Sequence, residues 1–136
     1  GGYSGVPADQ IREKIRVGHI DQVVTLIEQL KQLPEGNGTM FDNTMIFYFP
    51  DGGETHHSHG TEYPFVVLAG DNTRVDLRRQ YVRLPNYGQA GHSTLGNFYT
   101  TLLNAYGNPI EHYGALDTGL TKFGHDQTGP IKQFLS

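Results

Sequence analysis

The sequence predicts an α/β domain with a partly parallel sheet flanked by helices, and three observations carry that prediction. Apolar residues recur at helical spacing over residues 11–30 and again over 95–106. Two short, nearly all-apolar runs, 44–49 and 64–70, have the composition of strands covered on both faces. Their order, helix, strand, loop, strand, helix, is that of crossover-connected units. With 136 residues the chain is long enough to bury a core and is read as one domain, residues 1–136.

Gly1 to Gly5 is glycine-rich and expected to be loose, and the Gly1-Gly2 start reads as the edge of a processed or truncated piece of a longer protein. Pro7 can open a helix, where its missing N–H costs little. Ile11, Ile15, Ile20, Val23, Val24, Ile27 and Leu30 then follow the spacing of one buried face, with Arg12, Glu13, Arg16 and Glu28 mostly on the other side. Gly18-His19 is expected to divide this stretch into two helices, with Asp21 near the start of the second and His19 at the surface or in a cap.

Pro34-Glu35-Gly36-Asn37-Gly38 ends the helix, because Gly and Asn accept positive φ and Pro cannot continue it. The run 44–49 is the first strand, and Pro50 stops it. Asp51 would therefore sit at the carboxyl end of a buried strand, where ligand sites of open α/β sheets gather. The second strand, 64–70, runs into a turn at Asp71-Asn72. Residues 74–84 read as an extended segment or hairpin. Arg78, Arg79 and Arg83 there lie on a solvated face, or grip an anion. After a loop at 85–91, Ser93 is expected to cap a helix with the face Leu95, Phe98, Tyr99, Leu102, Leu103 and Tyr106, ended by Gly107-Asn108-Pro109. Residues 110–128 read as irregular, and 130–135 as a short terminal helix.

Composition excludes several classes of function. The net charge of −4 leaves no basic footprint for a nucleic acid. Cysteine is absent, so there is neither a disulfide nor thiolate chemistry. No apolar run approaches the roughly 20 residues of a membrane span.

The chemistry concentrates in residues 47–60, where an apolar run gives way to Asp51, Glu54, His56, His57 and His59 among three glycines. His57 and His59 are two apart and point the same way in an extended stretch, and a turn at Gly52-Gly53 can bring Asp51 and Glu54 to them. Imidazole nitrogen with carboxylate oxygen is a ligand set for zinc, iron or manganese. The spacing matches no closed motif such as H-E-x-x-H, and the alternative is a polar loop of solvated histidines. His92, just before a helix start, is a further site candidate or an orienting group. His125-Asp126 could form a proton-relay pair or lie in a surface loop. Ser58 has histidine on both sides, yet sequence neighbours do not make a triad. Neither G-x-S-x-G nor G-x-x-x-x-G-K is present.

Three segments together, residues 33–44, Asp-Gly-Gly-Glu-Thr-His-His-Ser at 51–58 and Pro-Phe-Val-Val-Leu-Ala-Gly at 64–70, resemble the C-terminal part of the bacterial domain-of-unknown-function family numbered 1552. Gly91-His92-Ser93-Thr94, Thr101-Leu102-Leu103 and Asp126-Gln127-Thr128-Gly129-Pro130 look like its closing motifs, so the resemblance runs from about residue 20 onwards. That family is similar to the alkaline phosphatase and sulfatase superfamily. The resemblance implies the C-terminal half of an alkaline-phosphatase-like fold, with Asp51 and His59 or His57 as metal ligands and Glu54, His56 and His92 near them. It implies a divalent metal, zinc first, with iron, manganese or calcium as alternatives. In the superfamily a histidine commonly follows the aspartate; here Gly52 follows, which counts against a two-metal site. The superfamily's nucleophile lies in an N-terminal half that this chain lacks, and members of family 1552 are typically larger and exported. The chain would then be a C-terminal domain or fragment, exported or periplasmic, whose partner is the missing half or another protein chain.

Two functions follow as expectations. The first is the metal-binding portion of a phosphatase- or sulfatase-like hydrolase, not catalytically complete alone. The second is a non-catalytic binding or assembly module that keeps the superfamily fold, as a homo-oligomer or on a partner. A small independent metalloenzyme is disfavoured, because the alternating strands of a histidine-metal barrel are not evident.

Overall fold

Helix α1 runs unbroken over Ala8–Gln32, with Pro7 at its N-cap, Asp9 in the first turn and Lys31 in the last, each charge favourably placed against the helix dipole. The structure is a computed structural model that describes residues 4–50, 63–77 and 80–135. Gly18-His19 does not divide the helix as expected. One interior glycine costs about 1 kcal/mol relative to alanine, less than re-initiating a helix. The chain divides into two compact units, Gly1–Thr44 and Met45–Ser136.

In the first unit α1 is followed by a minimal hairpin, β1 (Pro34–Glu35) and β2 (Gly38–Thr39), paired Pro34 to Thr39 and Glu35 to Gly38. Gly36, at φ 59°, makes the tight reversal that a β-carbon would oppose. A 3-10 turn, Met40–Asn43, follows, and α1 packs on this turn and on β2. The Asp42 carboxylate ties the turn down: it accepts the Thr39 backbone N–H at 2.6 Å and the Thr39 hydroxyl at 2.9 Å. The Lys31 ammonium lies 5.2 Å over the Phe41 ring. Elements this short cannot cover a 25-residue helix, and no residue of α1 is buried. The expected buried face of α1 is therefore corrected to a half-covered one.

In the second unit β3 (Met45–Tyr48) and β4 (Val66–Ala69) pair antiparallel, Met45 with Ala69 through Tyr48 with Val66. This overturns the expected partly parallel sheet flanked by helices, and with it the implied alkaline-phosphatase-like half. The described strands form two separate two-stranded antiparallel sheets. An apolar run of four residues records burial but not direction, and here the two runs pair with each other instead of with strands across a helical crossover.

Helix α2 (Leu95–Ala105) supplies the centre of this unit. Phe98 packs with Ile131 and Phe134, and Phe47, Phe65, Val67, Leu77, Leu84 and Leu102 close around them. The Phe98 ring meets Phe47 edge-on at 5.6 Å and Phe65 at 4.8 Å, so the hairpin rests on α2 through aromatic contacts. Val75 is buried and bridges antiparallel to Leu135, which joins the extended segment after β4 to the chain end. The remaining regular pieces are α3 (Thr118–Thr121) and a 3-10 turn, Lys132–Phe134, where a short terminal helix was expected. Among the described residues no helix is long and apolar enough to cross a membrane.

Candidate functional site

The β3–β4 pair delivers the histidine-rich segment. Beyond the last pair, Tyr48 with Val66, the Phe49 and Tyr63 rings meet at 6.1 Å, and the Tyr63 hydroxyl donates to the Pro50 carbonyl. Phe49, Pro50 and Tyr63, described on either side of residues 51–62, are thus held together. Asp51, Glu54, His56, His57 and His59 all belong to this connection and lie outside the described residues, as do Ser58, Arg78 and Arg79. Among the described residues no group of three or more His, Asp or Glu side chains is placed to hold a metal ion.

His92 is described. Its Nδ1 lies 2.8 Å from the Pro85 carbonyl, and its ring meets Tyr87 edge-on at 5.6 Å. A carbonyl can only accept, so Nδ1 carries the proton, and in the neutral ring Nε2 is the nitrogen left with a lone pair. His92 therefore orients the 85–92 loop. The expected His125-Asp126 relay does not form. His125 Nε2 bonds the Gly88 carbonyl at 2.8 Å, while Asp126 turns to its own chain and accepts the Thr128 N–H at 2.9 Å and hydroxyl at 2.7 Å. Those two bonds, the hydroxyl first, hold the Asp126 carboxyl below its ordinary range.

Sequence reasoning missed the polar side of α2. Asn97, Thr100, Thr101 and Asn104 fall at i, i+3, i+4 and i+7, a helical stripe of amides and hydroxyls, and the first three are buried. Thr94, not Ser93, is the N-cap. Its hydroxyl accepts the Asn97 N–H at 3.2 Å, while Asn97 Oδ1 accepts the Thr94 N–H at 2.9 Å. The Asn97 amide then reaches outward to the Gln127 and Gly129 carbonyls at 2.8 and 2.9 Å. Thr100 accepts the Tyr113 N–H at 3.0 Å, Thr101 the Ile131 N–H at 2.8 Å, and Asn104 donates to the Ile110 carbonyl at 3.1 Å. One helix face thus satisfies the backbone of a long irregular segment, which has little regular structure to do so itself. His112 packs beside it, over Gly96; both ring nitrogens are buried without a hydrogen-bond partner among the described residues. A β-carbon on Gly96 would stand 2.7 Å from His112 Cε1, so the close packing requires glycine.

A second knot joins Tyr87, Asp117, Gly119 and Gln127. Asp117 caps α3, accepting the Gly119 N–H at 2.7 Å, and its other oxygen accepts the Tyr87 hydroxyl at 3.1 Å. Gln127, buried, clasps the Asp117 backbone from both sides, accepting its N–H at 2.8 Å and donating to its carbonyl at 3.0 Å. Desolvation, then the bond to the Asp117 carboxylate and its charge, pushes the Tyr87 phenol up. Every polar group in this knot is satisfied within the chain, which marks it as structural. Comparison with known protein families, with characterised proteins and with solved structures finds no match for the chain.

Proposed function

We propose that the chain binds a divalent metal ion through the β3–β4 connection. Asp51, His57 and His59 are the ligands, with Glu54 and His56 beside them. On this reading the chain is the metal-holding part of a phosphoric or sulfuric ester hydrolase that it does not complete alone. The observation that carries it is the neck: the Tyr63 hydroxyl on the Pro50 carbonyl holds together the two described residues that flank the segment with three of the seven histidines. Fixing the ends lowers the entropy that a ligand set must lose to converge on an ion. The mixed imidazole and carboxylate donors suit zinc, with iron and manganese next. The bound ion would polarise an ester oxygen and make a bound water more acidic. The hydrolase class rests on the sequence resemblance to family 1552 alone; no family model matches the chain, and the antiparallel β3–β4 pair adds nothing to it.

Elemental analysis of protein purified without an affinity tag, beside Asp51→Ala and His59→Ala, tests the reading. Near-stoichiometric zinc, iron or manganese, lost in both variants, is expected. Absence of metal, together with no rise in melting temperature on adding these ions, overturns it. The second reading, an assembly module, is favoured by the uncovered apolar residues of α1.

A further inference from the structure

We propose that α1 is a self-association helix that pairs antiparallel with α1 of a second copy of this chain. The inference stands on α1 alone and does not rest on metal binding.

Val17, Ile20 and Val24 are 54 %, 39 % and 45 % exposed, and with the half-buried Ile27 they recur at spacings of three and four. That is the spacing of a two-stranded seam. Ile15 and Leu26, also exposed, lie on the opposite side of the helix and outside it. The seam continues at the same spacing to Glu13 at one end and Lys31 at the other, so it closes on opposite charges.

Those charges choose the occupant and its direction. In an antiparallel pair centred on Gln22, Val17 faces Ile27 of the second copy and Ile20 faces Val24, so every apolar residue meets an apolar residue. Glu13 comes level with Lys31 at both ends, where the ammonium that lies over Phe41 within one chain turns to the partner's carboxylate, and on the flank Lys14 lies beside Glu28. A parallel, in-register pair would instead set Glu13 against Glu13 and Lys31 against Lys31 inside the seam, a like-charge arrangement that costs stability. The antiparallel pair carries one unfavourable contact, Asp21 beside its own counterpart on the flank. In the parallel pair Asp21 would lie near Arg16. This single residue therefore distinguishes the two arrangements. The seam is only two heptads long, so the association is weak and concentration-dependent.

Sedimentation equilibrium in chelator, which removes any metal-bridged dimer, tests the pairing on the full chain. A monomer–dimer equilibrium is expected. Ile20→Asp should shift it to monomer with helix content by circular dichroism retained, and Asp21→Asn should tighten it several-fold. The chain has no cysteine, so one spin label at Arg12→Cys reports direction without background. Antiparallel copies hold the labels at least about 30 Å apart, because 20 residues at 1.5 Å rise separate Arg12 from the level of its counterpart. A chain that stays monomeric at every concentration overturns the proposal and leaves the face to another partner. A dimer with short label distances, weakened by Asp21→Asn, overturns the antiparallel arrangement.

Discussion

The Asn97 side-chain amide donates to the Gln127 main-chain carbonyl at 2.8 Å, linking the first turn of α2 to a residue 30 positions further on. The same side chain caps its own helix through Thr94 and holds the Gly129 carbonyl. Truncation to alanine removes the cap partner and strands two carbonyls at once. Asn97→Ala should cost about 2–4 kcal/mol in urea unfolding. Asn97→Asp should do no better, because it keeps the acceptor for Thr94 but turns a carboxylate on the two carbonyls. A loss below about 0.5 kcal/mol in both would show that water replaces this side chain without penalty.

Helix α2 was legible because its apolar face and its Gly107 stop are local signals. Its polar stripe was visible as a pattern too, but Asn and Thr opposite an apolar face ordinarily read as a solvated side. Asn97, Thr100 and Thr101 are buried because residues 110–131 need partners for their backbone groups, and that demand is set by tertiary structure. The runs at β3 and β4 were legible as strands and not as an antiparallel pair, since strand composition carries no direction. The burial of α1 was misjudged for the reverse reason. Its spacing asks for a cover that the short hairpin and turn after it are too small to provide. Of the proposed ligand loop the structure describes the neck, which the sequence did not announce: Tyr63 lies 13 residues from Pro50 with no motif connecting them.

Gly119 stands where a β-carbon would run into the Tyr87 hydroxyl and come within 3.0 Å of Asp117 Oδ1. Gly119→Ala should therefore destabilise by about 1–3 kcal/mol. Tyr87→Phe removes the obstructing oxygen, so the double variant should lose less than the sum of the two single ones. Strict additivity in a double-mutant cycle would show that the two groups are not in contact.

Gly18 presents the opposite case. It sits inside α1 with ordinary helical φ and open space where a β-carbon would go. Gly18→Ala should stabilise the helix by about 0.5–1 kcal/mol, partly by restricting the unfolded chain. The gain should appear as higher helix content and a higher melting temperature. Because this position lies off the proposed seam, the dimerisation constant should stay unchanged. A variant that stabilises nothing would mean that the helix is not continuous through this position.

The Asp42 carboxyl is held below its ordinary value of 3.8, first by the Thr39 backbone N–H, then by the Thr39 hydroxyl, with Lys31 adding a smaller pull and desolvation opposing. A carboxyl whose folded pKa is depressed contributes stability that is complete above the unfolded value. It is lost as the pH falls through the folded one. The hairpin-and-turn end of α1 should therefore loosen below about pH 4, when protonation weakens both bonds to Thr39. Asp42→Asn keeps an oxygen that can accept the same bonds but has no charge to lose. Its stability should be lower than wild type at neutral pH, and the difference should close on acidification. Thermal melts of both proteins between about pH 6 and pH 2.5 make the comparison. Curves that run parallel over that range would mean that the Asp42 charge does not hold the turn, and that the Thr39 contacts persist with a neutral side chain.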